Sequence, residues 1–290
     1  MLTRETRPTR GAAYIAGRNL SRRGALARTH VGYCPQEGGL TLSLSARDIL
    51  AHYAAIRGLP GDLAPAAVEH ALARMRLREY ADQPSGQLSG GNRRRLSVAV
   101  ALIGAPLVLL LDEPTTGMDP AARKGLVRAL DDARKAGHTV VLTSHSMEEV
   151  DAFCTRVGIL VQGALRCVGA PVDLKAALCG GYVVEARVGS EGRGRAFAAA
   201  LRAALPAADV AVTSGDEADV AVVSVGGAAL DVPRLFEAAE AAHAELGGTG
   251  CSVAQASLEH VFMQIAHGQG ARGLEGAEGA HGNGTSGLWS

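Results

Sequence analysis

The 290-residue chain is predicted to fold as an α/β domain followed by a small α+β domain. In the first part, apolar runs that suit strands buried on both faces alternate with helical patterns, as in parallel sheets. After Cys179 the patterns follow the order β-α-β-β-α-β, which is typical of a ferredoxin-like domain. We therefore expect domains over residues 1–178 and 179–266. The Gly-rich segment 267–290 has almost no apolar content and is predicted to be disordered.

Composition excludes several classes of function. Lys and Arg number 29 and Asp and Glu also 29, and aromatic residues make up only 3% of the chain. Balanced charge and few aromatics argue against nucleic acid as a main partner. The five cysteines lack CxxC or zinc-site spacing, which favours reduced thiols in a cytosolic protein. The longest apolar run, 96–111, is too short to span a bilayer and is interrupted by Gly104 and Pro106.

A helical subdomain is predicted over roughly residues 42–104. Ser45 can cap a helix over 45–58, with Asp48 at the third helical position as in a capping box. A second helix is expected over 66–80. Its Met75 shares the apolar face and is interpreted as a core residue rather than a ligand.

The stretch Leu88–Asp119 carries the clearest chemical pattern. It begins with a Ser-Gly-Gly turn that opens a helix, and free N–H groups at a helix start suit a phosphate. An apolar run from Leu107 to Leu111 then ends at Asp112 and Glu113, and open α/β sheets hold ligands at the carboxyl ends of their strands. Each half alone also fits a capped helix or a strand with a solvated acidic end. Their spacing together favours a nucleotide site.

These residues resemble the nucleotide-binding domain of ABC transporters. LSGGN at Leu88–Asn92 resembles the signature loop, LVLLLDE at Leu107–Glu113 resembles Walker B, and TTGMD at Thr115–Asp119 resembles the D-loop. His145, after VVLTS, is similar to the switch histidine. The longer run LSGGNRRRLSVAVALIG is similar to subfamily A, the lipid-exporting class. The resemblance covers roughly residues 1–266.

The resemblance implies catalytic and metal-binding roles for four residues. Glu113 would orient or deprotonate the attacking water, and His145 would steady the γ-phosphate. Asp112 and Gln36 would place Mg²⁺, partly through water. Gln36, in YCPQ at the end of a predicted strand, matches the Q-loop, which touches both the metal site and the membrane domain. The two residues after Gln36 depart from the family's usual aromatic–acid pair, which puts the membrane-domain contact in doubt.

ABC domains work as head-to-tail pairs, so the signature loop would contact ATP held by a second domain. The residues implied on this partner-facing side are Leu88, Ser89, Gly90, Gly91, Asn92 and Asp119. The resemblance thus implies ATP and Mg²⁺ as cofactors. It implies a second nucleotide-binding domain and transmembrane domains as partners, no nucleic acid, and a place on the cytoplasmic face of a membrane.

The family's Walker A motif, GxxxxGK[ST], does not occur in these residues. Its place would be just upstream of Met1. Two explanations stay open: a truncated gene model or fragment, which we favour, or a protein that has lost half of its ATP site. In both cases we expect the chain by itself to bind ATP weakly and to be inactive, since the P-loop supplies the lysine and backbone cradle for the phosphates.

Three functional hypotheses follow. The favoured one is the ATP-hydrolysing domain of a lipid-exporting ABC transporter, which couples ATP-driven dimerisation to substrate movement. The second is a catalytically incomplete protein that supplies its signature loop to a partner domain. The third is a soluble ABC ATPase with no transport role, against which the subfamily A pattern and the ferredoxin-like domain argue.

Overall fold

The structure, a computed structural model, describes residues 2–3, 6, 8–20, 30–179, 181–188, 193–214, 220–226 and 230–266. The described residues divide after His145 into two compact units. This division lies upstream of the predicted boundary at 178/179, and that boundary stays a prediction. The segment predicted as a disordered tail, 267–290, lies outside the described residues.

The first unit contains a parallel three-stranded sheet. A two-stranded ribbon of β1 (Tyr14–Ile15) and β2 (Arg18–Asn19) precedes it. The strands of the sheet are β3 (Val31–Cys34), β4 (Val108–Asp112) and β5 (Thr139–Thr143). Its helices are α1 (Ala46–Ile56), α2 (Ala64–Arg74), α3 (Gly90–Leu102) and α4 (Pro120–Lys135), with 3-10 turns at Arg78–Tyr80 and Ser85–Gln87. The sheet order is β3-β4-β5, with both pairs parallel, which confirms the α/β prediction.

The central strand and its neighbour differ in burial. Leu109 in β4 is fully buried, as the sequence predicts. The run HTVVLT at 138–143 predicts a second buried strand. For β5 this prediction was wrong, because Val141 is 45% exposed and exposed residues alternate with half-buried ones along the strand. Helix α4 packs on β5, and the alternation shows that only one face of the strand is covered.

Local capping signals set the ends of the helices. The Ser45 hydroxyl accepts from the Asp48 N–H at 3.1 Å and donates to the Asp48 carboxylate at 2.6 Å, which confirms Ser45 as the cap of α1. Helix α2 starts at Ala64 and ends at Arg74, whereas the sequence predicted 66–80. The reason is Arg76, whose φ of 54° is left-handed and incompatible with a continuing α-helix. Met75 is buried, as expected for a core residue.

Helix α3 lies directly on β3 because residue 32 is glycine. A Cβ atom at Gly32 would collide with the backbone carbonyl of Ala101 in α3 and would lie 2.9 Å from the Leu109 side chain. Helices α1 and α2 both pack on α3, which brings together the three helices predicted within residues 42–104. Helix α3 therefore joins the helical part of the unit to its sheet.

The second unit contains a four-stranded antiparallel sheet. Its elements are α5 (Met147–Phe153), β6 (Val157–Val161), β7 (Ala164–Gly169), α6 (Pro171–Cys179), β8 (Gly181–Arg187), α7 (Arg193–Ala204), β9 (Asp209–Ser214), β10 (Val220–Gly226), α8 (Val232–Glu245), β11 (Gly250–Gln255) and α9 (Leu258–Ala266). The sheet order β11-β8-β10-β9 confirms the ferredoxin-like prediction. Phe197 of α7 and Leu235 of α8 are fully buried in its core.

None of the helices in the described part of the chain combines the length and the apolarity that crossing a bilayer requires.

Gly32→Ala should destabilise the first unit by about 3 kcal/mol, because the added methyl group forces α3 away from β3. Urea unfolding followed by circular dichroism measures this loss. The matched control is Gly61→Ala, where an added Cβ meets nothing within 4 Å. Equal stability of the two variants would contradict the close contact between α3 and β3.

Candidate nucleotide site

The carboxyl ends of the three parallel strands bring four candidate residues to one edge of the sheet. Asp112 ends β4, and Thr143 ends β5 directly opposite it in the register. Gln36 follows β3 by two residues, and His145 follows β5 by two residues. Asp112, Glu113 and His145 are thus brought together as the sequence predicts, at the edge where parallel sheets hold ligands.

Glu113 is held by hydrogen bonds at both its main chain and its side chain. Its Oε2 accepts from the Thr116 hydroxyl at 3.0 Å and lies 2.8 Å from Nδ1 of His145. Its φ is 48°, a left-handed conformation that costs energy in a residue other than glycine. The Glu113 N–H compensates by donating to the Thr143 carbonyl and hydroxyl oxygens at 3.2 and 3.1 Å.

Asp112 is suited to an oxygen-preferring cation. The Thr143 hydroxyl donates to its Oδ1 at 2.5 Å and so orients the carboxylate. Magnesium in nucleotide sites commonly takes one or two protein carboxylates and completes its shell with water and phosphate oxygens, which Asp112 fits. Within the described ranges, no three His, Cys, Asp or Glu side chains assemble into a metal cluster. Gln36 is exposed, and its role toward the metal stays a prediction.

The predicted phosphate-facing turn forms the start of α3. Ser89 caps the helix, and its hydroxyl accepts from the Asn92 N–H at 3.3 Å. First-turn N–H groups have no acceptor within the helix, and Cβ atoms added at Gly90 or Gly91 would meet nothing within 4 Å. The backbone of this turn is therefore open to an anion. Leu88 is buried, so its side chain belongs to the core rather than to the open surface.

Asp119 has a structural role in this chain. Its Oδ1 accepts from the N–H groups of Ala121 and Ala122 at 3.0 and 2.9 Å, and so caps α4. The bond from Ala122 is the main cause that lowers the pKa of this carboxyl. Helix capping accounts for the carboxylate, and contact with a partner's nucleotide stays a prediction.

Three residues that the sequence analysis did not select contribute to this edge. Thr143 contacts both acidic residues, and Thr116 holds the Glu113 carboxylate. Thr143 could have been found by pairing β4 with β5 in parallel register. Arg94 donates to main-chain carbonyls after β3 and at the end of β4, although a basic run usually forms a solvated face.

An acidic pair ends a central parallel strand, a histidine contacts one of the two carboxylates, and an open glycine turn begins a neighbouring helix. Together they define the class of α/β domains that bind and hydrolyse nucleoside triphosphates. Comparisons with known proteins are consistent with this class and indicate the family within it.

The family model described as ABC transporter matches residues 1–116. The phospholipid-transporting ATPase ABCA3 of Rattus norvegicus is 40% identical over 270 residues, which cover 92% of this chain and 16% of that protein. The phospholipid-transporting ATPase ABCA7 of Homo sapiens is 39% identical over 270 residues, which cover 93% of this chain and 12% of that protein.

Solved structures agree in fold. The ATP-binding subunit of an ABC transporter gives a TM-score of 0.54 at 24% identity, covering 58% of this chain and 70% of that one. The cbiO1 protein of Clostridium perfringens, part of the cbiONQ ABC transporter complex, gives a TM-score of 0.55 at 27% identity. The match covers 60% of this chain and 72% of that one.

The chain belongs to the ABC transporter family, and within it to the nucleotide-binding domains of the subfamily A type. This family is one of ATPases, whose domains bind ATP with Mg²⁺ and act as dimers together with transmembrane domains. The relatives are membrane transporters. The chain spans only 12–16% of the length of these two relatives.

Thr143→Val should lower the unfolding free energy by about 1 kcal/mol, because it removes the hydroxyl bonds to Asp112 and to the Glu113 N–H while keeping the side-chain shape. Thr139→Val, at the exposed opposite end of β5, is the matched control. Urea titration of both variants provides the comparison. Equal midpoints would mean that the Thr143 hydroxyl does not hold the acidic pair.

Cys34, the last residue of β3, should react slowly with iodoacetamide at pH 8. Burial raises the pKa of its thiol to about 11, and the thiolate is the reactive form. Labelling in the native protein should be on the order of a hundredfold slower than in denaturant. Mass spectrometry of the peptide that contains Cys34 measures both rates. Comparable rates would show that β3 is exposed in solution.

Proposed function

We propose that this chain is the ATP-binding and ATP-hydrolysing domain of an ABC transporter that exports lipids. The observation that carries the proposal is the Glu113 carboxylate, held by Thr116 and His145 beside Asp112 at the end of the central strand. The lipid assignment is supported by the phospholipid-transporting ATPases among its relatives.

Glu113 would serve as the group that positions the attacking water. Among the described residues, both side-chain contacts of Glu113 use Oε2, which leaves Oε1 as the oxygen that would accept a proton from water. The side chain is only 18% exposed, so its carboxylate is partly shielded from solvent at the end of the strand. Its fixed direction also spares the cost of orienting the water at the moment of reaction.

His145 and Asp112 would act on either side of Glu113. The His145 ring turns Nδ1 toward Glu113, so Nε2 is the nitrogen available to a γ-phosphate oxygen. The His145 side chain is 75% exposed, in keeping with a group that meets a ligand. Asp112, oriented by Thr143, and Gln36 would hold Mg²⁺, which neutralises phosphate charge when bound.

The open turn at Gly90 and Gly91 would bind ATP held by a second nucleotide-binding domain, in a head-to-tail dimer. Its N–H groups and the positive end of the α3 dipole favour a phosphate. Leu88, Ser89, Asn92 and Asp119 would support this surface. Closure of the dimer would move transmembrane domains, on the same protein or on another chain, at the cytoplasmic face of a membrane.

A second candidate function rests on this same turn. The phosphate-facing groups at the start of α3 come from the chain itself and need no P-loop. The chain could therefore supply its signature turn to a partner's ATP without hydrolysing any at its own site.

Glu113→Gln tests the first candidate, in the full-length protein that the gene encodes. Loss of the base should lower Mg-ATP hydrolysis by at least about a hundredfold. Glu79→Gln, a similar change at an exposed residue, should leave the rate unchanged. In vesicles that also contain the transmembrane domains, Glu113→Gln should abolish ATP-dependent movement of a fluorescent phospholipid.

A rate that is independent of Glu113 would overturn this assignment. The second candidate would instead be supported if the chain stimulates the ATPase of a P-loop-containing relative and Ser89→Arg removes that stimulation while Glu113→Gln does not.

A further inference from the structure

Arg94 is a cation whose hydrogen bonds all go to main-chain carbonyls. It lies in the second turn of α3, between the exposed Arg93 and the half-buried Arg95. Its guanidinium donates to five carbonyl oxygens: those of Pro35 at 2.5 Å, Gln36 at 3.0 Å, Glu113 at 2.8 Å, Pro114 at 3.1 Å, and Asp112. In the part of the chain that the structure describes, no carboxylate forms an ion pair with it. Carbonyl dipoles therefore balance its charge.

The five carbonyls belong to two segments that leave the sheet side by side. Pro35 and Gln36 follow β3, while Asp112, Glu113 and Pro114 end β4 and begin the next turn. Where parallel strands end, their last carbonyls lose ladder partners and need other donors. A planar guanidinium carries five N–H donors in a fixed fork, so one side chain can satisfy both segments. A lysine ammonium has three donors at a single point and cannot reach both equally well.

The same two segments carry residues of the candidate site. One presents Gln36, and the other presents Asp112 and Glu113. The helix that carries Arg94 begins with the open turn of Gly90 and Gly91, four residues earlier. The guanidinium is thus a single contact shared by the turn-bearing helix and by both strand-end segments.

We propose that Arg94 is a positioning residue that sets the separation between the Gln36 and Glu113 segments and ties both to α3. Its five N–H donors are all taken by these carbonyls, so it acts through the main chain of the residues that would contact a nucleotide. Its link to catalysis rests on the proposed function, whereas its hold on the two segments does not.

Hydrogen–deuterium exchange in the chain as given tests the hold without any nucleotide. In Arg94→Met, exchange in peptides covering 34–40 and 112–118 should become about tenfold faster in both segments together. Peptides of the second-unit strand β8 should not change. Arg94→Lys, which retains the charge and part of the bonding, should lie between the wild type and Arg94→Met.

Arg93→Met is the matched control, because it removes a neighbouring exposed cation from the same helix. It should leave exchange unchanged in both segments. If Arg94→Met speeds exchange in only one segment, or in neither, the proposal is overturned. An equal increase in Arg93→Met would also overturn it. If Arg94→Met does not fold, Arg94→Lys provides the test. Faster exchange in both segments would support the proposal, and unchanged exchange in either segment would overturn it.

A kinetic measurement separates this inference from the proposed function. In the hydrolysing protein, Arg94→Lys should lower kcat about tenfold with little change in KM, since it misplaces the catalytic segments rather than the nucleotide. Faster exchange in both segments without any ATP hydrolysis would retain the positioning role and reject the proposed function. Normal hydrolysis by Arg94→Met with unchanged exchange would reject the positioning role alone.

Discussion

Helix α3 contacts the sheet and the segments that follow it at two places, once through a backbone carbonyl and once through an arginine side chain, and the position of the candidate site depends on these contacts. Near its end, the Ala101 carbonyl occupies the space that a side chain at residue 32 would need. Near its start, Arg94 bonds to the main chain that follows β3 and ends β4. The helix cannot move away from the sheet without losing at least one of these contacts. The glycine turn that begins α3 is therefore tied to the segments that carry Asp112 and Glu113.

Glu113 shows how local strain is compensated at this edge. A left-handed conformation costs about 1 kcal/mol or more in a residue with a Cβ. In this conformation the carboxylate contacts Thr116, in the turn after β4, and His145, just after β5. Thr143 offsets the cost by accepting the Glu113 N–H while its hydroxyl bonds to Asp112. One threonine therefore stabilises both members of the acidic pair.

The sequence predicted those features that depend on short-range patterns. The helix cap at Ser45 and the acidic end of β4 each involve residues within one or two elements, and the β-α-β-β-α-β order follows from six successive local patterns. The structure confirms all three. The exposure of β5 was missed because an apolar run indicates a buried strand without showing what covers it. Arg94 was missed because its carbonyl partners lie 18–59 residues away in the sequence. The periodicity of apolar residues gives no information about contacts over such separations.

In the proposed function, the Leu88–Asp119 stretch would contribute to two half-sites, one at the end of β4 and one at the start of α3. Asp112 and Glu113 would act on the chain's own nucleotide, whereas Gly90 and Gly91 would contact one held by a partner. If the two half-sites were mechanically separate, a change at the glycine turn would leave the acidic pair where it is. In this arrangement they would be linked, because Arg94 bonds α3 to the main chain of both strand ends. Movement of α3 on a partner's phosphate would therefore be passed directly to the segment that orients Glu113.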